Sequence, residues 1–346
     1  MSTAKNILII RLSAMGDVAM TVPVILALLN EYPDLKINLL TKPFYANLFK
    51  DLQHVSIISA EVKTKHQGLR GLYNLSQELK QFKFDAVADL HDVLRSKVLR
   101  FFLFFQGLKI KSINKGRAEK KALTRTKNKK FKPLKPTTQR YADVFEKLGF
   151  TIDLSTPQHL PKPDLNHKIM NDLNFLKSKK QIGIAPFAAH DGKTYPADLM
   201  QGVIKKLAQK EATNIYLFGG GALEMSRLHN WALKYSNVYC VAGKYDFKIE
   251  LDLIANLNLM LSMDSGNGHL AAMYGVSVIT LWGQTHPFAG FAPFQQKEDH
   301  QILADRNQYP FLPTSIYGNK KIPGYDKVMR SISPEDVVDK VNTLLD

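Results

Sequence analysis

Four short stretches of this chain hold residues suited to chemistry. In 259–272 an apolar run ends in Asp264-Ser265-Gly266, and a small-residue helical pattern follows, with His269 five positions beyond Asp264. A strand that turns into a helix offers unpaired N–H groups at the positive end of a dipole, which favours a phosphate. Ser265 stands where an N-cap belongs, and Gly266 and Gly268 let a ligand approach the backbone. His269 can donate to a phosphate or sugar oxygen, or serve as a structural histidine. Ser13-Ala14-Met15-Gly16-Asp17 puts a carboxylate after another apolar run. It is neither the six-residue dinucleotide fingerprint nor a loop ending in Gly-Lys-Ser/Thr. Asp17 either offsets a helix dipole or acts as a general base on an attacking hydroxyl. In 184–196, Lys193 and Thr194 follow a strand-like run. A lysine there is a point charge suited to a diphosphate, or an ordinary surface lysine. Phe218-Gly219-Gly220-Gly221 leads to Glu224, which accepts from ribose hydroxyls or caps a helix.

The surrounding pattern predicts what holds these residues. Short apolar runs at 6–10, 36–41, 55–59, 85–90 and 108–113 read as buried strands, and helical segments at 18–30, 44–49, 69–82 and 93–105 lie between them. The last of these is rich in Phe. A helix at 138–148 precedes a Pro-rich polar stretch at 151–164 that reads as a linker. A second series then places strands at 181–186, 214–218, 238–242, 259–263 and 276–282, with helices between. Residues 296–325 read as irregular, and Ser333-Pro334-Glu335-Asp336 opens a final helix. The alternation predicts an α/β protein of two doubly wound domains. Their expected bounds are 1–160, carrying a basic segment at 109–140, and 161–325, with 326–346 packing back on the first domain. Ligands of such sheets bind beyond the carboxyl ends of the strands, so the four stretches are expected to meet in a cleft between the halves.

Bulk properties narrow the classes. The single cysteine, Cys240, excludes an internal disulfide and fits a reducing compartment. No stretch reaches the ~18 apolar residues of a spanning helix, and no signal peptide is expected at the N-terminus, so a cytoplasmic protein is the expectation. Metal binding is not expected: the histidines are scattered and there is no Asp-x-Asp or cysteine pair. The net charge of +16 is concentrated, because 109–140 holds thirteen Lys and Arg against Glu119 alone. Such a patch points to a polyanion or to a solvated loop. Nucleic acid is the weaker polyanion, since only Phe131 and Tyr141 accompany the charges and stacking needs interleaved aromatics.

Together, Ile10-Arg11-Leu12-Ser13-Ala14-Met15-Gly16-Asp17 with Pro23, then Gly192-Lys193-Thr194-Tyr195-Pro196, then Asp264-Ser265-Gly266 with His269 and Ala271-Ala272, resemble the ADP-heptose:lipopolysaccharide heptosyltransferases of glycosyltransferase family 9. Thr138-Gln139-Arg140-Tyr141-Ala142-Asp143 resembles the family's helix before the linker. Tyr195-Pro196 stands where the family commonly has Trp-Pro. The resemblance implies two Rossmann-like domains of the GT-B type. It also implies an inverting, metal-independent and cofactor-free transfer of a heptose or related sugar from an ADP-sugar to the lipopolysaccharide inner core. On that footing Asp17 deprotonates the acceptor. Lys193, Thr194, Ser265, Gly266 and His269 hold the donor diphosphate, Glu224 binds ribose and Asp264 lies beside the donor. Arg95 with Lys115, Arg117 and Lys120 of the basic segment meets the anionic acceptor. The implied location is cytoplasmic, in transient contact with the anionic inner face of the inner membrane, with no nucleic acid as partner. A nucleotide-sugar epimerase of the same fold and, from another class, a polyanion-binding protein are the alternatives.

Overall fold

Asn6–Ile10 (β1) is the middle strand of a five-stranded parallel sheet in the order β3-β2-β1-β4-β5. Ile7 to Ile10 are fully buried, as an unbroken apolar run requires when helices cover both faces of a sheet. The computed structural model describes residues 5–346. After β1 come α1 (Met15–Ala19), α2 (Thr21–Glu31), β2 (Lys36–Thr41), β3 (Val55–Ser59), α3 (Gly68–Leu79), β4 (Ala86–Asp89), α4 (Leu94–Phe104) and β5 (Lys109–Ser112). The single helix expected at 18–30 is two helices. The Thr21 hydroxyl donates to the Val18 carbonyl at 2.7 Å where they meet, and Pro23 sits in the first turn of α2, where no N–H is needed.

Arg117–Thr124 (α5) leaves this unit, and Thr137–Glu146 (α6) returns to it. The first compact unit runs to Gly116 and resumes over Lys135–Leu160. The second comprises Arg117–Leu134 and Pro161–Asp346. The expectation that 109–140 lies wholly in the N-terminal domain is therefore corrected for Arg117–Leu134. Leu123 and Leu134 are buried with Ala289 and packed by Phe131, Phe288, Phe291 and Ile316. The Lys129 ammonium donates to the carbonyls of Leu123 and Pro313, at 2.6 and 2.8 Å. The charge count conceals these few apolar anchors.

The second unit continues with α7 (His167–Asp172), β6 (Lys180–Ala185), α8 (Ala197–Ala208), β7 (Thr213–Leu217), α9 (Ala222–Ala232), β8 (Val238–Cys240) and α10 (Phe247–Ala255). It ends with β9 (Leu259–Met263), α11 (Gly266–Ala272), β10 (Ser277–Trp282), β11 (Gln301–Leu303) and α12 (Pro334–Leu345). Its parallel sheet has the order β11-β10-β9-β6-β7-β8. β11 lies within the stretch expected to be irregular; three residues are too few to show a period. The C-terminal helix belongs to the second unit. Val337, Val338 and Val341 of α12 join the second unit's core, and Arg330 pairs with both oxygens of Asp198 on α8 at 2.8 and 2.9 Å. Two doubly wound parallel sheets in one chain are the GT-B fold class that the sequence predicts.

Candidate active site

In the second sheet the strand order reverses between β6 and β9, and their carboxyl ends carry the lysine loop and the Asp264 turn. Ligands of doubly wound sheets bind at this reversal. The loop after β6 is anchored at both ends. The Thr194 hydroxyl donates to the His190 carbonyl at 3.1 Å, so Thr194 shapes the loop from within. Tyr195 is buried in the core, and its phenol donates to the Ile332 carbonyl at 2.8 Å. Gly192 has no room for a side chain: a Cβ would lie 2.6 Å from the Gln284 Oε1 and from the Gly318 carbonyl. The Lys193 ammonium therefore emerges at a fixed place, 3.4 Å from Asp264 Oδ2. Both side chains are largely buried, so the contact is little screened, but it is long for an ion pair.

Ser265 takes the extended backbone of an N-cap, yet its hydroxyl makes no capping hydrogen bond. The expectation that it caps α11 is corrected. Its Oγ is buried and has no hydrogen-bond partner. A buried hydroxyl without a partner is unfavourable by about 1–3 kcal/mol, so a ligand that supplied one would gain from it. His269 is buried one turn into α11. Across β7, Glu224 in the first turn of α9 accepts from the Gly220 N–H at 2.9 Å. The glycine loop is thus closed on its own carboxylate, with Gly221 at φ +84° entering the helix, where a side chain would be strained. Lys193, Asp264, Ser265, Gly266 and His269 gather at the reversal, and Glu224 stands at the end of the next strand but one from β9. Gln284, two residues past β10, also belongs here. Its N–H donates to the Gly192 carbonyl at 2.7 Å and its Oε1 is a buried acceptor with no partner. Strand-end placement was the signal that could have found it.

The first sheet reverses between β1 and β4, and one buried guanidinium bridges that point. Arg11 donates to the Leu90 carbonyl at 2.6 Å and pairs with Asp17 Oδ2 at 2.6 Å. Asp17 also accepts from the Ala14 N–H at 3.3 Å, while its carboxylate keeps about a third of its exposure. Behind it, the Tyr141 phenol on α6 donates to the Asp17 carbonyl at 3.2 Å, and burial pushes that phenol up. His91, just after β4, is held neutral. Burial first, then the positive charges of Arg11, Lys115 and Arg95, lower it to about 3 against the opposing pull of Asp17. Arg11, Asp17 and Tyr141 are thus joined at one spot, and His91 feels the charges of Arg11 and Asp17 there. The His91 Nδ1 and the Arg11 Nε, both buried there, have no hydrogen-bond partner.

Of the residues expected to meet the acceptor, Arg95 is exposed on α4 and Lys115 is half-buried, both in this unit. Arg117 and Lys120 fall in the second unit. Arg117 is exposed there, whereas Lys120 is buried with its ammonium 3.9 Å from the centre of the Phe291 ring. Sequence reasoning missed Arg11 and His91. Arg11 sits in a quoted motif, but its importance comes from a contact across 79 residues of chain, and His91 stands just past β4, where strand-end placement was the available signal. Among the described residues, no group of three His, Cys, Asp or Glu is gathered as a metal site.

Comparison with known proteins places this geometry. The model of glycosyltransferase family 9 (heptosyltransferase) matches residues 72–320. The chain is 25% identical over 312 residues to the lipopolysaccharide core heptosyltransferase OpsX of Haemophilus influenzae, covering 88% of this chain and 86% of that protein. A solved glycosyl transferase family 9 protein from Veillonella parvula superposes with a TM-score of 0.74 at 20% identity, covering 99% and 97% of the two chains. Escherichia coli heptosyltransferase WaaC, solved with ADP, superposes with a TM-score of 0.68 at 17% identity, covering 98% and 99%.

Proposed function

Because the chain belongs to glycosyltransferase family 9, the heptosyltransferase family, we propose that it moves a heptose from an ADP-linked donor to a hydroxyl of the lipopolysaccharide inner core, with inversion. The observation that carries this reading is the reversal point of the second sheet. There a lysine ammonium, an unsatisfied serine hydroxyl and the first N–H groups of α11 converge at the carboxyl ends of β6 and β9. That donor set matches a diphosphate. Lys193 exchanges Asp264 for a phosphate oxygen, Ser265 and the Gly266 N–H take others, and His269 supports them from the first turns. Glu224 releases the Gly220 N–H to receive ribose hydroxyls.

In this reading Asp17 accepts the proton of the acceptor hydroxyl. The freed oxygen bonds to the anomeric carbon while the bond from that carbon to the diphosphate oxygen breaks on the opposite face. The electron pair leaves with ADP, whose charge fixed protein donors stabilise without a cofactor. Arg11 aims the Asp17 carboxylate, and neutral His91 offers a hydrogen bond beside it in place of a charge. Arg95 and Lys115 suit the acids and phosphates of an inner-core acceptor. We place the enzyme at the cytoplasmic face of the inner membrane. Among the described residues no helix is long and apolar enough to cross a membrane, and a net charge of +16 favours contact with anionic lipid.

The test is transfer itself. Purified protein with ADP-heptose and a lipid-free inner-core saccharide is expected to yield a product heavier by one heptose, with release of ADP. UDP- and GDP-linked donors are expected to give far less. Absence of product with every ADP-linked sugar would overturn the reading, and epimerised donor formed without acceptor would replace it.

A further inference from the structure

We propose that the outer faces of α3 and α4 form the surface by which this protein docks on an anionic lipid bilayer. The proposal deepens the reading above, resting on its lipid-borne acceptor, and names the face that reading leaves open. On α4 and just past it, Leu94, Phe101, Phe104 and Phe105 are 80%, 59%, 65% and 72% exposed. With Lys97 they recur at i, i+3, i+7, i+10 and i+11, one side of a helix. The opposite side, with Leu99 and Leu103, is already spent on the core. The helix is thus apolar twice over, and the outer stripe is not explained by folding.

Neighbouring α3 continues the surface with Leu69 and Tyr73, 68% and 48% exposed. The helices are joined by an edge contact of Tyr73 on Phe102 at 5.4 Å and by Gln106 donating to the Ser76 carbonyl. Six of the thirteen large hydrophobic residues exposed among the described ones lie on this one face. Single exposed hydrophobics are ordinary; a contiguous group marks an interaction surface.

Charge decides the partner. α4 carries Arg95 and Lys97 on its exposed side and no acid, while its third base, Arg100, is paired inward with Asp89 at 3.0 Å and Asp92 at 3.2 Å. The one acid of α3, Glu78, is paired with Lys65 at 3.0 Å. Arg70, Lys80 and Lys109 add to the exposed rim. A second copy docking on a two-fold axis would set this basic rim against itself. An anionic bilayer takes both parts, with aromatic rings at the headgroup level and lysine and arginine at the phosphates. Continuity with the proposed acceptor residues agrees: Arg95 is in the first turn of the same helix, a few residues past His91 and the β4 end. Docking by this face would hold that end of α4 near the headgroups that carry an acceptor.

The experiment is flotation of the full chain with vesicles of phosphatidylethanolamine and phosphatidylglycerol, against phosphatidylcholine vesicles, with neither substrate present. Wild-type protein is expected to float with the anionic vesicles and not with the neutral ones. The triple variant Phe101→Ser, Phe104→Ser, Phe105→Ser is expected to lose about tenfold or more in partitioning, and Lys97→Glu a smaller part. Unchanged melting temperature and unchanged turnover on the lipid-free saccharide would show that fold and active site persist. Vesicle binding by the triple variant equal to wild type would overturn the proposal. So would a wild-type dimer in sedimentation that the triple variant abolishes while neither binds vesicles. Because flotation uses no substrate, failure of docking is read separately from failure of transfer.

Discussion

At the reversal of the first sheet a buried arginine just past β1 reaches the Leu90 carbonyl past β4 and grips Asp17 at 2.6 Å. At the reversal of the second sheet the corresponding ion pair, Lys193 with Asp264, is 3.4 Å long. Beside it are a serine hydroxyl and a glutamine oxygen that nothing satisfies. The topology is the same in both units: a first central strand, a neighbour reached by crossing back, and charged loops at their carboxyl ends. What differs is how tightly the carboxylate is held: Asp17 has its guanidinium at 2.6 Å, Asp264 its ammonium at 3.4 Å. The first unit has its carboxylate already aimed, as a proton acceptor must be. The second has a long Lys193–Asp264 pair and a serine hydroxyl without a partner, which suits the anion proposed for it. On the proposed function, one architecture thus serves as base in one unit and as diphosphate site in the other, through a few residues at the ends of equivalent strands.

The comparison breaks most sharply at Asp17. Asp17→Asn keeps the size and removes the proton acceptor, so turnover is expected to fall by about 10²–10⁴-fold while ADP binds as in wild type. Calorimetry with ADP and initial rates with saturating donor check the two halves of the claim. An intact rate would move the base elsewhere, and a loss of ADP affinity would mean that the two reversals are not separate in role.

Lys193 gives the next effect, with the opposite signature. Lys193→Ala removes an ammonium from a largely buried place, and a hydrogen bond to a charged group is worth about 1.5–3 kcal/mol. ADP affinity is therefore expected to fall by roughly ten- to a hundredfold. Asp264 is left without this partner, so some loss of stability accompanies it. ADP binding unchanged by calorimetry would remove Lys193 from the cradle.

Much of this arrangement was legible in the sequence, for a local reason. Asp17, Lys193 and Asp264 each follow a short apolar run, and a parallel sheet delivers every such run to the same edge. What could not be read was any contact that joins distant runs. Arg11 reaches the Leu90 carbonyl across 79 residues, and His91 is neutral because burial and three basic side chains from separate elements act on it. The segment Arg117–Leu134 was misplaced because thirteen charges over 109–140 outweighed Leu123, Phe131 and Leu134, whose burial decides where it packs. The apolar content of the Phe-rich helix at α4 does not say which of its sides is buried. Only the structure shows that half of that content faces outward.

Ser265 gives the smallest effect and tests the idea of incomplete pairing most directly. Its sequence position suggests a cap, and removal of a helix cap usually destabilises by about 0.5–2 kcal/mol. The structure shows no cap hydrogen bond and no partner for the buried hydroxyl. Ser265→Ala is therefore expected to leave the melting temperature equal to or above that of wild type, because replacing an unsatisfied buried polar group by an apolar one is neutral or favourable. ADP affinity is expected to fall nonetheless, by up to about tenfold, the worth of one ordinary hydrogen bond. A residue whose loss leaves the empty protein no less stable and weakens only the filled one is placed for a ligand. A drop in melting temperature with ADP binding unchanged would return Ser265 to the role of a cap.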